Sequence, residues 1–465
     1  MNFIGRKDEL KKMGQMFSSD RQEITLIYGR RRVGKSELIK QFLLQHPDVG
    51  IYYECKRTTE LNNVASLSQL ISEKYHLPPL AFNSLEALLD FLFQQAVRDK
   101  SILVLDEYPY LRETVTGLDS ILQTMIDKYA QQSQMKLILC GSFVETMKEL
   151  LLAHNPLYGR IDLTIYLRPM DYYDSAAFYP SFSAEDKVRL YSIFGGIPYY
   201  NRLIDPGKTV RENIIDLLAS PGARLENEVM LYLHSELSRL VNANEVFDAL
   251  AKGFSKFSDI LAQSHVSSSA ALADILKKLI LMEMVIKVAP INEQGNKKRT
   301  GYFINDNLSC FYYRYLFRYA SQLRIMDPHH FYDCYIAQDF EQNYVPHQFE
   351  TICREYLIRQ NLQGKLSLPF DSIGKYYYDL PKEHRNGEFD IVTHDERGYI
   401  FYEAKFRKDP ITEQMMIHEI EQVNATGLYC YRYGFFSRSG YESSPRPDII
   451  TYDLQDLYPK IPLTF

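Results

Sequence analysis

The stretch Gly29, Arg30, Arg31, Arg32, Val33, Gly34, Lys35, Ser36 constrains this chain more than any other. It satisfies GxxxxGK[ST] and lies where that pattern carries meaning. Residues 24–28 form a short apolar run that reads as a buried strand, and 35–44 read as an amphipathic helix. Backbone N–H groups of such a loop, with the positive end of the following helix, cradle phosphate. Lys35 is then expected to reach the β- and γ-phosphates of ATP, and Ser36 to ligate Mg²⁺. Residues 101–105 and 136–139 read as further strands, with helical patterns at 84–98 and 117–131. This alternation predicts a parallel α/β sheet with helices on both faces.

Ile102, Leu103, Val104 and Leu105 run into Asp106 and Glu107, an apolar strand ending in two acids. Asp106 is expected to hold the Mg²⁺ shell and Glu107 to polarise the attacking water. The pair is of hydrolytic type, which points to turnover of ATP rather than storage. Three arginines beside Lys35 repel one another unless an anion lies there. Arg30, Arg31 and Arg32 either contact phosphate or point outward to an acidic helix or a nucleic acid. Both alternatives stay open.

At 465 residues the chain has room for about three domains. Its 53 Lys and Arg against 59 Asp and Glu give a net charge of -6, which excludes binding of nucleic acid by bulk positive charge but not by a local patch. The six cysteines lie far apart with no CxxC pair, as expected for free thiols in a reducing compartment. The start has no apolar core of a signal peptide, and no run of 18 apolar residues occurs. A cytoplasmic protein without a membrane span is expected.

Residues 170–235 are helical in pattern, broken by Gly195, Gly196, Ile197 and Pro198. Residues 236–305 predict a winged helix: helices at 243–252, 256–263 and 267–281, then a hairpin of 285–288 with 301–304. The third helix shows Ser267, Ser268, Ser269, Asp274, Lys277 and Lys278, and the wing carries Lys297, Lys298 and Arg299. The module either contacts DNA, with the wing on phosphate, or packs as a lid or serves a protein partner.

With these motifs in view the chain resembles the archaeal-type ATPases of the AAA+/STAND P-loop group. The resemblance rests on Phe3, Ile4, Gly5, Arg6, Glu9 and Leu10, on the 28–36 loop, on Leu157 to Arg160 and on Gly195 to Tyr199. It implies that Gly5 and Arg6 pack near the adenine. It further implies that Ser142, after the strand Leu137 to Gly141, senses the γ-phosphate or water, though Ser142 also fits a plain strand end. Arg160 is the candidate for a charge-stabilising arginine, in cis or from a neighbouring subunit, with a structural ion pair as the alternative. A homo-oligomer is compatible with this resemblance.

Residues 387–406 alternate polar and apolar about His394, Asp395, Glu396, Arg397 and Gly398, which predicts a β-hairpin. A turn centred between Glu396 and Arg397 sets Asp390 opposite Glu403 and Glu388 opposite Lys405. All four would share one face, with Phe389, Ile391, Tyr402 and Ala404 on the other. Glu388 and Lys405 would pair, whereas Asp390 and Glu403 put like charges face to face unless a divalent cation intervenes. This pattern resembles the PD-(D/E)XK nucleases, in which Asp390 and Glu403 would bind Mg²⁺ and Lys405 would orient or activate water. Glu350 matches a helix carboxylate that some of these enzymes add, and Gln422 is a further candidate. The archaeal-type ATPases often carry such a domain, of uncertain activity.

The expected fold class is therefore α/β, a P-loop NTPase parallel sheet with a helical lid and winged helix, followed by a restriction-endonuclease-like α/β domain. The expected divisions are an ATPase core at 1–168, a lid at 169–235, the winged helix at 236–305, a helical connector at 306–345 and the nuclease-like domain at 346–465. The expected partner is nucleic acid, DNA rather than RNA, with cleavage by the last domain. The alternatives are an ATP-driven switch on DNA or protein with an inactive last domain, and a chaperone-like ATPase acting on protein.

Overall fold

The structure is a computed structural model and describes residues 3–236, 242–296, 298–380, 385–443, 446 and 448–459. The chain divides into two compact units. One is Met1–Pro169 with Ile197–Tyr199, and the other is Met170–Gly196 with Tyr200–Phe465. Three of the five expected segments, and most of the expected lid, fall in the second unit.

The first unit is built on five parallel strands: β1 (Glu23–Tyr28), β2 (Gly50–Glu54), β3 (Ser101–Asp106), β4 (Met135–Gly141) and β5 (Leu163–Tyr166), in the order β2-β3-β4-β1-β5. Every residue of β1, β3 and β4 is buried, as a strand covered on both faces requires. Successive side chains point to opposite faces. Leu103, Leu105, Leu137 and Leu139 enter the core beneath α3 (Glu60–Lys74) and α4 (Leu85–Arg98). Ile102, Val104, Ile138 and Cys140 enter the other core, with Met13 and Met16 of α1 (Lys7–Ser18) and Leu38, Ile39 and Phe42 of α2 (Lys35–Leu43). Thr59 and Ser84 cap α3 and α4 by accepting hydrogen bonds from Asn62 N and Ala87 N. The parallel register aligns the carboxyl ends of β1, β3 and β4, the edge at which open α/β sheets bind ligands.

In the second unit, short helices run from Tyr172 to Glu236. Helices Ala243–Ala251, Phe257–Gln263 and Ser269–Leu281 follow, then a hairpin of β6 (Val285–Val288) and β7 (Gly301–Ile304). The loop between β6 and β7 lies on β8 (Ser372–Leu380). There Ile291 N donates to Lys375 O at 2.7 Å, and Asn292 exchanges two bonds with the Tyr377 backbone. Arg299 stacks on the Tyr377 ring at 3.7 Å and reaches Asp379 at 3.5 Å, covering a sheet edge. Lys297 lies outside the described residues, and Lys298 is exposed.

The unit's main sheet is mixed. β8, β9 (Arg385–Asp395) and β10 (Gly398–Lys405) are antiparallel, and β11 (Cys430–Ser437) and β12 (Ile449–Asp453) continue parallel to β10. Helix Val345–Leu362 covers one face, where Tyr356 meets Phe436 and Tyr452. Helix Glu413–Ala425 covers the other, where Met416 and Ile420 pack on Phe435. Among the described residues no helix is long and apolar enough to cross a membrane.

Candidate functional site

The phosphate-loop edge follows from backbone chemistry. Gly29 lies so close to β5's exit that a Cβ there would stand 2.2 Å from Leu167 O. Gly34, at φ +96°, turns the chain into α2 in the left-handed region that suits glycine. Lys35 is 6% exposed, and its Nζ donates to Gly29 O at 2.9 Å and Arg30 O at 3.1 Å, which closes the loop on itself. Arg6, itself left-handed beside Gly5, donates to Val33 O at 3.3 Å and Arg168 O at 2.7 Å, bracing the loop from outside. Arg30 is buried, Arg31 is exposed, and the Arg32 guanidinium stacks 4.2 Å over Tyr199.

Asp106, 2% exposed at the end of β3, accepts from Ser36 Oγ at 2.6 Å, from Tyr52 Oη and from Glu107 N at 2.9 Å. Burial alone raises its pKa, but bonds from Cys140, Ser36, Tyr52 and Glu107 N outweigh it and hold the carboxyl below its ordinary value. The site therefore presents a hydroxyl and an ionised carboxylate side by side, a donor set that suits a hard divalent cation such as Mg²⁺. Glu107 has a left-handed backbone, φ 52°, strained for a residue with a side chain. It precedes α5 (Tyr108–Thr114) without a side-chain capping bond. Ser142 Oγ donates to both its oxygens at 3.0 and 2.9 Å, and Ser142 N lies 3.3 Å from one of them. The predicted sensor residue thus holds the predicted water-polarising residue. Arg160 has a partner within the chain. It forms a two-bond ion pair with Asp127, each bond 2.8 Å, and bonds carbonyls of its own turn, the structural ion pair named as the alternative.

A second cluster lies on the mixed sheet. The β9–β10 register runs from Gly398 with Asp395 to Tyr402 with Ile391, the turn position predicted, and beyond it Asp390 lies near enough to Glu403 to act on its charge. Two details differ. The β8–β9 register shifts between Gly374 and Tyr376, a bulge that carries Phe389 to the face of Val392. There Phe389 meets Phe401 edge-on at 4.9 Å instead of lying on the opposite side. The expected Glu388–Lys405 pair does not form. Lys405 binds Glu403 at 2.7 Å and Glu419 at 2.9 Å, while Lys375 binds Asp390 at 2.8 Å and Glu388 at 3.5 Å. Glu350 pairs with His347 at 3.2 Å, and Gln422 with His418 at 2.9 Å. Burial, with Glu419 and Asp390 nearby, pushes Glu403 up to about 7 against the pull of Lys405. Among the described residues no three His, Cys, Asp or Glu stand close enough to hold a metal ion.

A family described as an ATPase domain predominantly from Archaea matches residues 3–202. Residues 3–202 form a P-loop ATPase domain. A second family, archaeal and bacterial proteins of unknown function, matches residues 312–421 and so spans both the expected connector and the β8–β10 cluster. An uncharacterized protein of Methanocaldococcus jannaschii is 28% identical over 98% of this chain and 99% of its own length. An uncharacterized ATP-binding protein of the same organism is 44% identical over 41 residues, 9% of this chain and 70% of that protein. Among solved structures, the Walker-type ATPase of Pyrococcus abyssi covers 67% of this chain and 96% of its own, at 21% identity and a TM-score of 0.51. That likeness is one of fold.

In the ATPase domain, sequence reasoning missed Tyr52 and Cys140 as partners of Asp106. Tyr52 comes from β2, whose neighbour in the sheet is β3 although about 50 residues separate them. No local pattern connects the two. In the mixed sheet it missed Lys375 and Glu419, which converge on Asp390 and Lys405 from another strand and from helix Glu413–Ala425.

Proposed function

We propose that the chain binds and hydrolyses ATP with Mg²⁺ and couples this to a Mg²⁺-dependent, nuclease-like second unit acting on DNA. The observation that carries the ATPase part is the juxtaposition of Ser36, Asp106 and Glu107 beside the phosphate loop. Loop N–H groups and Lys35 bind phosphate, Ser36 and Asp106 hold the cation, and Glu107 orients the attacking water once released from Ser142. Mg²⁺ would supply charge neutralisation at the transferred phosphoryl group. Lys35→Ala should abolish nucleotide binding, read by a labelled ATP analogue. Retained binding would refute the site.

For the second unit, the neighbouring acids Asp390 and Glu403 and the adjacent Lys405 support a metal-dependent nuclease. The test is cleavage of linear, circular and single-stranded DNA with Mg²⁺ or Mn²⁺, lost in Asp390→Ala and Lys405→Ala while ATP turnover survives. Intact DNA in every arm overturns cleavage. A second reading, an ATP-driven switch with an inactive nuclease-like fold, is favoured by one observation: lysines already neutralise both acids. It expects affinity for DNA or protein to differ between ADP and a non-hydrolysable ATP analogue.

A further inference from the structure

The sheet face opposite Glu403 carries a separate cleft. Along β10, Ile400 and Tyr402 alternate with Phe401 and Glu403 and so point the other way. With Thr393, Asp395, Tyr431, Arg432, Tyr452 and the turn from Lys365 to Phe370 they line an open cleft of about 500 Å³. That volume is within the range of ligand sites. The β10–β11 register shifts between Tyr399 and Ile400, leaving Tyr431 as an extra residue. Such a bulge re-aims side chains, and here Tyr431 and Arg432 both line the cleft.

The chemistry of the lining is specific. Lys365, Arg397 and Arg432 line it, and among the described residues none has an ion-pair partner. Its one acid, Asp395, is buried and accepts from Tyr431 Oη and Arg397 N, which leaves three cations to one anion along the lining. The Thr393 hydroxyl is buried beside Tyr402 in the same lining. The half-buried ring of Tyr431 stands among these groups, beside Tyr452, whose own ring stacks on Phe436 at 4.8 Å. Cations that track phosphates beside rings on which bases stack are what a single-stranded nucleic acid requires.

We propose that this cleft binds single-stranded nucleic acid. The inference goes beyond cleavage by the opposite face and does not depend on it, because binding is read without divalent metal. The experiment uses the full chain with fluorescein-labelled oligothymidylate in EDTA, followed by anisotropy across a salt series. Wild type should bind. Arg397→Glu with Arg432→Glu should weaken binding at least about tenfold and flatten the salt slope by about 1.4, the value for two lost phosphate contacts. Tyr431→Ala should weaken it about fivefold or more at unchanged slope. The milder Arg397→Gln with Arg432→Gln should act in the same direction, and circular dichroism checks that each variant is folded. No binding by wild type, or unchanged affinity and slope in folded double variants, overturns the proposal. So does competition by thymidine monophosphate or polyglutamate as strong as by unlabelled oligonucleotide, since that would mark a mononucleotide or acidic-peptide site.

Discussion

The ATPase edge buries an acid at a strand end and the mixed-sheet cluster half-buries its own, and the two treat them oppositely. Asp106 is the more deeply buried, but four donors surround it and its carboxyl is held below the ordinary range. Glu403 has a lysine beside it but also two acids, and burial pushes it up to about 7. Burial alone therefore does not set the charge of an acid. The balance of donors against neighbouring acids does. One site is assembled to keep an anion ready for a cation, and the other holds acids that lysines neutralise.

Glu107→Gln tests the first half of this contrast most severely. Turnover should fall about 100-fold or more while ATP still binds, measured by phosphate release and by nucleotide retention. Unchanged turnover would remove Glu107 from the chemistry. Tyr52→Phe deletes one donor to Asp106. It should raise the Mg²⁺ concentration needed for half-maximal turnover severalfold and lower stability by about 1 kcal/mol, read by Mg²⁺ titration and urea unfolding. An unaltered Mg²⁺ response would show that the remaining donors suffice.

Glu403→Gln probes the second half. The folded state binds this proton more tightly than the unfolded chain, so the group costs stability as pH rises from 4.5 to about 7. The variant should lose less stability over that window, by under about 1 kcal/mol because the side chain is partly exposed and solvent-screened. Parallel unfolding curves at pH 5 and pH 8 make the measurement, and an identical pH dependence would contradict the raised value. Arg160→Ala should have the smallest effect, about 0.5 kcal/mol of stability with turnover within about twofold, as an exposed ion pair predicts. A large loss of turnover would return Arg160 to the reaction.

Legibility followed burial. β1, β3 and β4 are buried at every position and read as apolar runs, so they were visible along with the acids and glycines at their ends. β2 and β5 are short and only partly buried, and gave no comparable signal. In the mixed sheet the β9–β10 turn and register were legible from alternation about Glu396 and Arg397. The bulge opposite Lys375 was not, because a one-residue shift leaves composition unchanged while turning a side chain to the other face.

The sequence by itself determined the GxxxxGKS loop, the acids at the end of β3 and the turn and register of the β9–β10 hairpin. Each is a local pattern in which spacing alone fixes direction. Tertiary structure decided what those residues touch. Tyr52 reaches Asp106 from a neighbouring strand, Ser142 claims Glu107, Lys375 and Glu419 take up the hairpin's charges, and Asp127 takes Arg160. Those partners are distant in the chain and meet only through sheet order and helix packing. For a buried or half-buried charge, the nearest partner sets both its protonation and its role.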